Sequence, residues 1–396
     1  MRIAVFDYKV NRNNPIGGCH LRMLRALASE HDFTVFAVEF DNPHPDRIKW
    51  VRVPVPMRPL ALLFVTFHVV APILYLLHLM RTGRRFHLVQ GVESNLLFGD
   101  ISYSHFCHRA YLKHHWRQSG QAGFRGFLNW LDHFVHACLE RPAYQRAKGI
   151  VAPSRGLARE LNREYPFAAN KIRVLPNAVD ADRLRMPAGF DRKAFRKGIG
   201  LSPADTAFVF VALGHFERKG LPLLLEALSH MDDPTAKLII VGGAPDLVQS
   251  YQPRIGEMNC RGRVHFAGMQ ADVRPYFWAA DAFAFPSLYE TFSLVAYEAA
   301  AAGLPLIVPR LNGIEEIIRD GDNGFIIGRT VDDAVSALRR FLTLAAERRR
   351  AMGRQARAAA AAYDNARFVG EWAEFYRQWA ALAASHPQQT PEPVRH

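Results

Sequence analysis

The 396-residue sequence predicts an α/β protein of two Rossmann-like domains facing a cleft, with C-terminal helices packing back towards the first domain. Two observations carry that expectation. Short apolar runs alternate with helical segments twice along the chain, and a polar, proline-marked stretch, Pro176–Pro203, separates the two series. A third observation places the ligand: in each series the distinctive polar residues fall just after a strand. That edge is where open α/β sheets bind ligands.

The first series opens with a strand at Ile3–Phe6, then the loop NRNNPIGG, a helix from about His20 to Ser29 and a second strand at Phe33–Val38. Gly17 and Gly18 stand at the start of that helix. Further strands are expected at His87–Gln90, Ile101–Ser104, Gly149–Ala152 and Lys171–Leu175. The second series runs AFVFVAL (strand), GHFERKG (loop), LPLLLEALSHM (helix) and AKLIIVGG (strand). It continues through RVHFAG, the helix ADVRPYFWAA and the strand Asp281–Ser287. Residues Val331–Ala384 read as helical and rich in Ala and Arg, with Arg348, Arg349 and Arg350 as a solvated face. These readings divide the chain into residues 1–178, joined by a helix at about 366–385, then residues 179–365, and a disordered Pro- and Gln-rich tail, 386–396.

The stretch YETFSLVAYEAAAAG, Tyr289–Gly303, carries the most chemistry. Phe292–Ala302 suits a helix, and Gly303 suits its left-handed C-terminal cap. Glu290 lies in the preceding loop and Glu298 within the helix. Ideal helix geometry separates such positions by roughly 80° and about 12 Å, too far to share a proton. Two acids so placed hold different parts of an extended ligand. Between them the first-turn amides of Phe292, Ser293 and Leu294 favour an anion such as a diphosphate. The plainer alternative is that Glu290 complements the helix dipole while Glu298 is solvated. Arg218 and Lys219, in GHFERKG, project from a second loop on the same edge. They read either as phosphate ligands or as a surface pair.

Composition narrows the partner. With 49% hydrophobic residues there is ample material for packed cores, and a net charge of +13 implies an anionic partner. The four scattered cysteines have no CxxC pair, which fits reduced thiols in a cytoplasmic protein, and the N-terminus reads as a strand without signal-peptide architecture. Interleaved aromatic and basic residues, a zinc pattern or a helix-turn-helix would favour a nucleic-acid-binding module, and the sequence offers none of them, so nucleic acid is not expected as a partner. Leu60–Met80 is apolar and about long enough to span a bilayer. It also contains His68, Pro72 and His78, so a buried or interfacial helix is the alternative. Arg155, Arg159 and Arg163 form one helical stripe, which could attach the chain to an anionic membrane surface or simply face solvent. The histidine-rich run His105–His115 matches no common structural zinc spacing.

Taken together, GHFERKG, IIVGG, VHFAGM, PSLYETFSLVAYEAAAAGLPLIV and NGIEEIIRDGDNGFII resemble the retaining glycosyltransferases of family 4. APSRGLARELNREYP and KIRVLPNAVD extend the resemblance across the first domain. It implies the GT-B fold and transfer of a sugar from a nucleotide-diphosphate donor to an acceptor hydroxyl, with retention. It implies that Glu298 accepts from the ribose hydroxyls, that Glu290 holds the donor sugar, and that Arg218 and Lys219 stabilise the departing diphosphate. Gly17, Gly18 and Gly214 would line the phosphates, and His105 would lie near the reacting sugar. A saccharide or lipid-linked acceptor is implied, in cell-envelope polysaccharide, lipopolysaccharide or glycolipid synthesis. The place implied is the cytoplasm, including the cytoplasmic face of the inner membrane. The sequence departs from the family pattern at Thr291 and Ser293, where glycines are usual, at His215, where arginine is usual, and at Ala178 in NAVD. The pairs Asp232–Asp233 and Asp320–Asp322 read as turn residues, so no metal and no cofactor is expected. A nucleotide-sugar epimerase or a phosphorylase of the same fold is the nearer rival.

Overall fold

In a computed structural model, which describes residues 1–385 apart from 13, 59, 121, 122 and 259, the chain folds around two parallel sheets. The tail 386–396 lies outside the described residues. The strands of the first sheet are β1 (Arg2–Phe6), β2 (Asp32–Ala37), β3 (Lys49–Arg52), β4 (Leu88–Val92), β5 (Ile101–Tyr103), β6 (Gly149–Ala152) and β7 (Ile172–Val174). Their spatial order is β3-β2-β1-β4-β5-β6-β7. The second sheet contains β8 (Thr206–Val211), β9 (Ala236–Val241), β10 (Val264–Gly268), β11 (Ala282–Ala284), β12 (Leu306–Val308) and β13 (Gly324–Ile326), in the order β10-β9-β8-β11-β12-β13. Both sheets reverse their winding once, between β1 and β4 in the first and between β8 and β11 in the second. Ligand crevices form at such reversals. The nearly continuous burial of β1, β8 and β9 explains their Val-, Ile- and Phe-rich runs, because both faces carry helices.

Helix α1 is Pro15–Leu27, longer at its start than the sequence reading. Asn14 caps it, accepting from the Gly17 amide at 2.8 Å, and Pro15 supplies a preset first-turn geometry. These two signals outweigh the helix-weakening glycines. A Cβ on Gly17 would stand 1.8 Å from the Lys9 carbonyl oxygen, so this glycine permits close backbone packing. The glycine pair is therefore part of the helix, not of a loop preceding it.

Helix α2, Leu60–Thr82, covers one face of the first sheet. Leu63, Phe67 and Ala71 are buried against it, whereas Leu62, Val65, Val69, Ile73, Leu76, Leu77 and Met80 are exposed. The helix is long and apolar enough to cross a membrane by length and composition, with 22% of its apolar window buried. Its histidine at 68 bonds the Phe64 and Ser94 carbonyls, both at 2.8 Å, and so ties the helix to the loop after β4. The helix expected to be buried or interfacial has a buried face and a free apolar face.

Helices α3 (His108–His114), α4 (Gly123–Arg146) and α5 (Arg155–Glu164) complete the first domain. The basic stripe of α5 touches the second domain. Arg159 pairs with Glu315, and the Arg155 amide donates to Glu316 at 2.8 Å, both on the second domain. Leu157 and Leu161 on the same helix are buried, while the side chains of Arg155, Arg159 and Arg163 stay exposed.

The expected linker also proves structured. It forms the short helices Ala181–Leu184 and Arg192–Gly198, and buried Arg196 pairs with Asp281 beside β11. In the second domain α6 (Phe216–Lys219), α7 (Leu221–Ser229) and α8 (Leu294–Ala301) follow the strands that bear the site. Arg349, read as solvated, instead bonds Thr206 and lies over the Phe341 ring. Helix α9, Ala346–Ala361, packs on α8, and α10, Asn365–Ser385, crosses to α1. There Phe368, Trp372 and Tyr376 enter the core of the first domain. Trp372 is fully buried, with its ring 5.0 Å from that of Tyr103. Replacing Trp372 by alanine should cost about 3–5 kcal/mol. The loss should appear as a lower denaturation midpoint by circular dichroism, and an unchanged midpoint would show that α10 contributes no packing.

Candidate active site

The two loops at the reversal of the second sheet meet. After β8 the chain turns at Gly214 and His215, the latter with φ 55°, into the single turn α6 that carries Arg218 and Lys219. Gly220 ends it at φ 83°, where a Cβ would stand 2.0 Å from the Pro286 carbonyl oxygen. Only glycine lets the first loop approach the one after β11 so closely. The approach brings Lys219 Nζ to 2.6 Å from Glu290 Oε1, and Ser287 Oγ donates to the same oxygen at 2.7 Å. Both charged side chains are largely buried. Desolvation lowers the Lys219 pKa, while Glu290 opposes that shift. Arg218 lies beside them, its guanidinium 3.5 Å from the Tyr289 carbonyl oxygen.

Helix α8 begins two residues later than the reading from sequence. Its N-cap is Ser293 in the left-handed region at φ 65°, unusual for serine, and the Ser293 hydroxyl is buried without a hydrogen-bond partner. The Ala296 amide donates to the Ser293 carbonyl at 2.9 Å, whereas those of Leu294 and Val295 precede the first intrahelical acceptor. An orphaned hydroxyl beside free amides is a site fitted for an anion. Phe292 does not line that site with its ring, which stacks on Tyr297 at 4.1 Å and is buried. Its contribution, like that of Leu294, is through the backbone.

Glu298 lies one turn further along α8. Burial raises its pKa from 4.5 to about 7, against the opposing fields of Arg22 and Arg183. Those two arginines come from α1 and from the helix Ala181–Leu184, and no local pattern in the sequence marks them. The Tyr289 hydroxyl donates to Glu160 of α5 at 2.5 Å, and Ser154 Oγ donates to the Thr291 carbonyl at 2.5 Å. The acid-bearing loop is thereby fastened to the first domain on both sides of Glu290.

Across the cleft, His105 follows β5 and is buried, with Nε2 unpartnered. Burial, reinforced by His20, lowers its pKa to about 3, so it is a neutral imidazole at physiological pH. Gly17 and Gly18 lie in α1 of the same domain, but their amides donate to the Asn14 side chain and carbonyl. In this arrangement those two N–H groups are engaged within the helix. Gly214 borders open space, as a cleft-lining glycine would. A separate open groove of about 560 Å³, lined by Gly243, Pro245, Val248, Phe266, Gly268 and Met269, lies at the ends of β9 and β10 and touches neither acid.

Two parallel-sheet domains, with paired acids and a basic pair at a sheet reversal, define a class of anion-binding GT-B proteins. The profile described as "Glycosyl transferases group 1" matches residues 192–359, and that described as "Glycosyltransferase Family 4" matches residues 20–183. The chain belongs to this glycosyltransferase family. It is 29% identical over 246 residues to a D-inositol 3-phosphate glycosyltransferase of Xylanimonas cellulosilytica, covering 54% of this chain and 58% of that one. It is 33% identical over 158 residues to the lipopolysaccharide core biosynthesis glycosyltransferase LpsE of Rhizobium meliloti, covering 40% and 43%. The chain thus spans less than two thirds of the length of these relatives. Among solved structures, WaaG, a glycosyltransferase involved in lipopolysaccharide biosynthesis, superposes with a TM-score of 0.75 at 20% identity, over 94% of this chain and 99% of that one. Anabaena HepE in complex with UDP-glucose superposes with a TM-score of 0.72 at 18% identity, over 96% and 100%.

Proposed function

We propose that the protein transfers a sugar from a nucleotide-diphosphate donor to an acceptor hydroxyl with retention of configuration. The observation that carries this reading is the buried Lys219–Glu290 pair, set beside the amide-rich start of α8, with Glu298 one helical turn into that helix. Glu298 accepts hydrogen bonds from the ribose, the α8 amides with Arg218 and Lys219 hold the diphosphate, and Glu290 grips the sugar. As the glycosidic bond breaks, negative charge gathers on the diphosphate. Fixed cations and amides stabilise it without rearranging. Same-face attack, with the leaving phosphate taking the acceptor proton, retains the anomeric configuration. His105, neutral and unpartnered, hydrogen-bonds the sugar. The basic pair makes a metal on the diphosphate unnecessary. Proton NMR of the product made without added Mg²⁺ or Mn²⁺ tests the mechanism: a retained anomer is expected, and an inverted one would refute it.

Donor binding should respond to pH through Glu298. Its folded pKa is raised to about 7, so the apo protein protonates it near neutrality. The ionised form is the better acceptor for two hydroxyls. Donor affinity should therefore rise with pH through about 7, and below that it should fall about tenfold per unit. Calorimetric titration across roughly pH 6 to 8 checks the slope; a flat profile would remove Glu298 from the donor site.

The acceptor we propose is a lipid-linked saccharide or glycolipid at the cytoplasmic leaflet, in cell-surface polysaccharide or lipopolysaccharide synthesis. The free face of α2 supports it, since exposed Arg58, Arg81, Arg84 and Arg85 lie at the two ends of that face. Exposed Phe127 and Phe134 on the adjoining α4 extend the apolar surface, Phe64 of α2 meeting His136 of α4 at 3.9 Å. The parent chain should float with vesicles containing anionic lipid at low salt, and a Val69→Glu, Ile73→Glu variant should stay behind. Equal flotation of both would exclude α2 as the contact.

A further inference from the structure

The first domain holds a second group of chemically potent side chains, outside the donor-binding loops. Glu93 follows β4, His108 opens α3, and His136 sits in the middle of α4. One ligand atom from each lies within 4.8 Å of the others, and all three residues are buried. We infer that Glu93, His108 and His136 form a binding site for one divalent transition ion of the Zn²⁺ type, with Asp132 as an additional oxygen donor.

One of the ligand spacings already matches a bound site. Metal–ligand bonds of about 2.0–2.1 Å in a tetrahedron place neighbouring ligand atoms roughly 3.3–3.4 Å apart. His108 Nε2 already stands 3.3 Å from Glu93 Oε2. His136 must swing in: its ring stacks on that of His108 at 4.3 Å and 8°, so ion entry turns the two rings out of their stack.

The surroundings are those that orient metal ligands. His108 Nδ1 is 2.9 Å from His133 Nδ1, which leaves Nε2 to face Glu93. His136 Nδ1 is 3.3 Å from Ser94 Oγ, which leaves its Nε2 towards Asp132, 3.9 Å away. Hydrogen bonds to the far nitrogen fix the tautomer in this way in known metal sites. A mix of imidazole and carboxylate donors suits zinc and its neighbours over calcium or magnesium. The backbone gives an independent indication, because Glu93 adopts φ 48°, a costly conformation for a glutamate.

Electrostatics point the same way. Among the described residues the basic side chains within 4.0 Å of the Glu93 and Asp132 carboxyls are His108 and His136, with no lysine or arginine. Burial keeps His108 and His136 neutral, the state in which imidazole ligates. A buried carboxylate beside neutral imidazoles is expensive to ionise, and a divalent cation supplies the missing charge. Such an ion would cross-tie α3 and α4. Through Glu93, which accepts from the His105 amide, it would also brace the loop bearing His105. This inference concerns the wall of the first domain and does not depend on the donor reading.

The test uses the untagged full-length chain. Elemental analysis after dialysis should find about one zinc per chain, or one Zn²⁺ taken up by chelator-treated protein. Co²⁺ added to the stripped chain should give the visible bands of a nitrogen- and oxygen-ligated ion. Glu93→Gln and His136→Gln should each weaken uptake at least tenfold, whereas Glu298→Ala should bind as the parent does. A parent chain that takes up neither ion at micromolar concentration overturns the site, whatever the folding of the variants. Ion binding unchanged in both Glu93→Gln and His136→Gln overturns it equally.

Discussion

Replacing Lys219 by methionine is expected to lower kcat/KM for sugar transfer by about 10²–10³-fold, the range for removing one preorganised group that stabilises developing negative charge. It should also lower stability, because Glu290 would remain buried without its 2.6 Å partner. Breaking a buried pair by removing one member costs about 3–5 kcal/mol; the remaining exposure of Lys219 places the loss towards the lower end. The second substitution separates the two effects. In Lys219→Met, Glu290→Gln no charge is left stranded, so the thermal midpoint should recover while activity should not. Initial rates and unfolding curves on the same preparations read both quantities. Recovery of activity along with stability would mean that the pair serves the fold and not the reaction.

Glu298→Ala should weaken donor affinity by about 100-fold or more, the loss of two hydrogen bonds to a charged group at roughly 1.5 kcal/mol or more each. Its effect on the fold should run the other way. A carboxyl whose folded pKa is raised above its unfolded value disfavours the folded state once pH exceeds the unfolded pKa, with the full effect above the folded one. For Glu298 that window runs from about 4.5 up to about 7. Above pH 7 the alanine variant should therefore be at least as stable as the parent, while binding the donor poorly. Loss of stability without loss of affinity would identify Glu298 as a structural acid. The expected combination is the common one at functional sites, where a group is kept for its ligand at the expense of the fold.

The apolar runs made the two sheets legible, since a parallel strand buried on both faces leaves a continuous hydrophobic signal. The acids and the basic pair were legible as positions on one sheet edge. Their contact was not, because it depends on Gly220, whose left-handed turn against Pro286 has no local signature beyond the glycine itself. Arg22 and Arg183 escaped for a different reason: they reach Glu298 only once the two domains and their connector are assembled. The histidine run at 105–115 was uninformative in its spacing. His108 gathers partners from the loop after β4 and from α4, so separations within the run carry no information about the cluster. The glycine pair misled locally, where the cap at Asn14 and the proline after it extended the helix over both. Helix α2 gave a correct length and an ambiguous environment, since composition does not say which face meets the sheet.

The most direct test of the central claim, that Glu290 and Glu298 grip the two ends of one nucleotide-sugar, is calorimetric titration of UDP-, GDP- and ADP-sugars into the parent chain and into Glu298→Ala without added metal. One nucleotide should bind the parent at least tenfold more tightly than the variant, and its sugar-bearing form should bind the parent better than the bare diphosphate. Binding of none of them, or equal binding to both chains, would contradict the assignment of the cleft to a nucleotide-sugar donor.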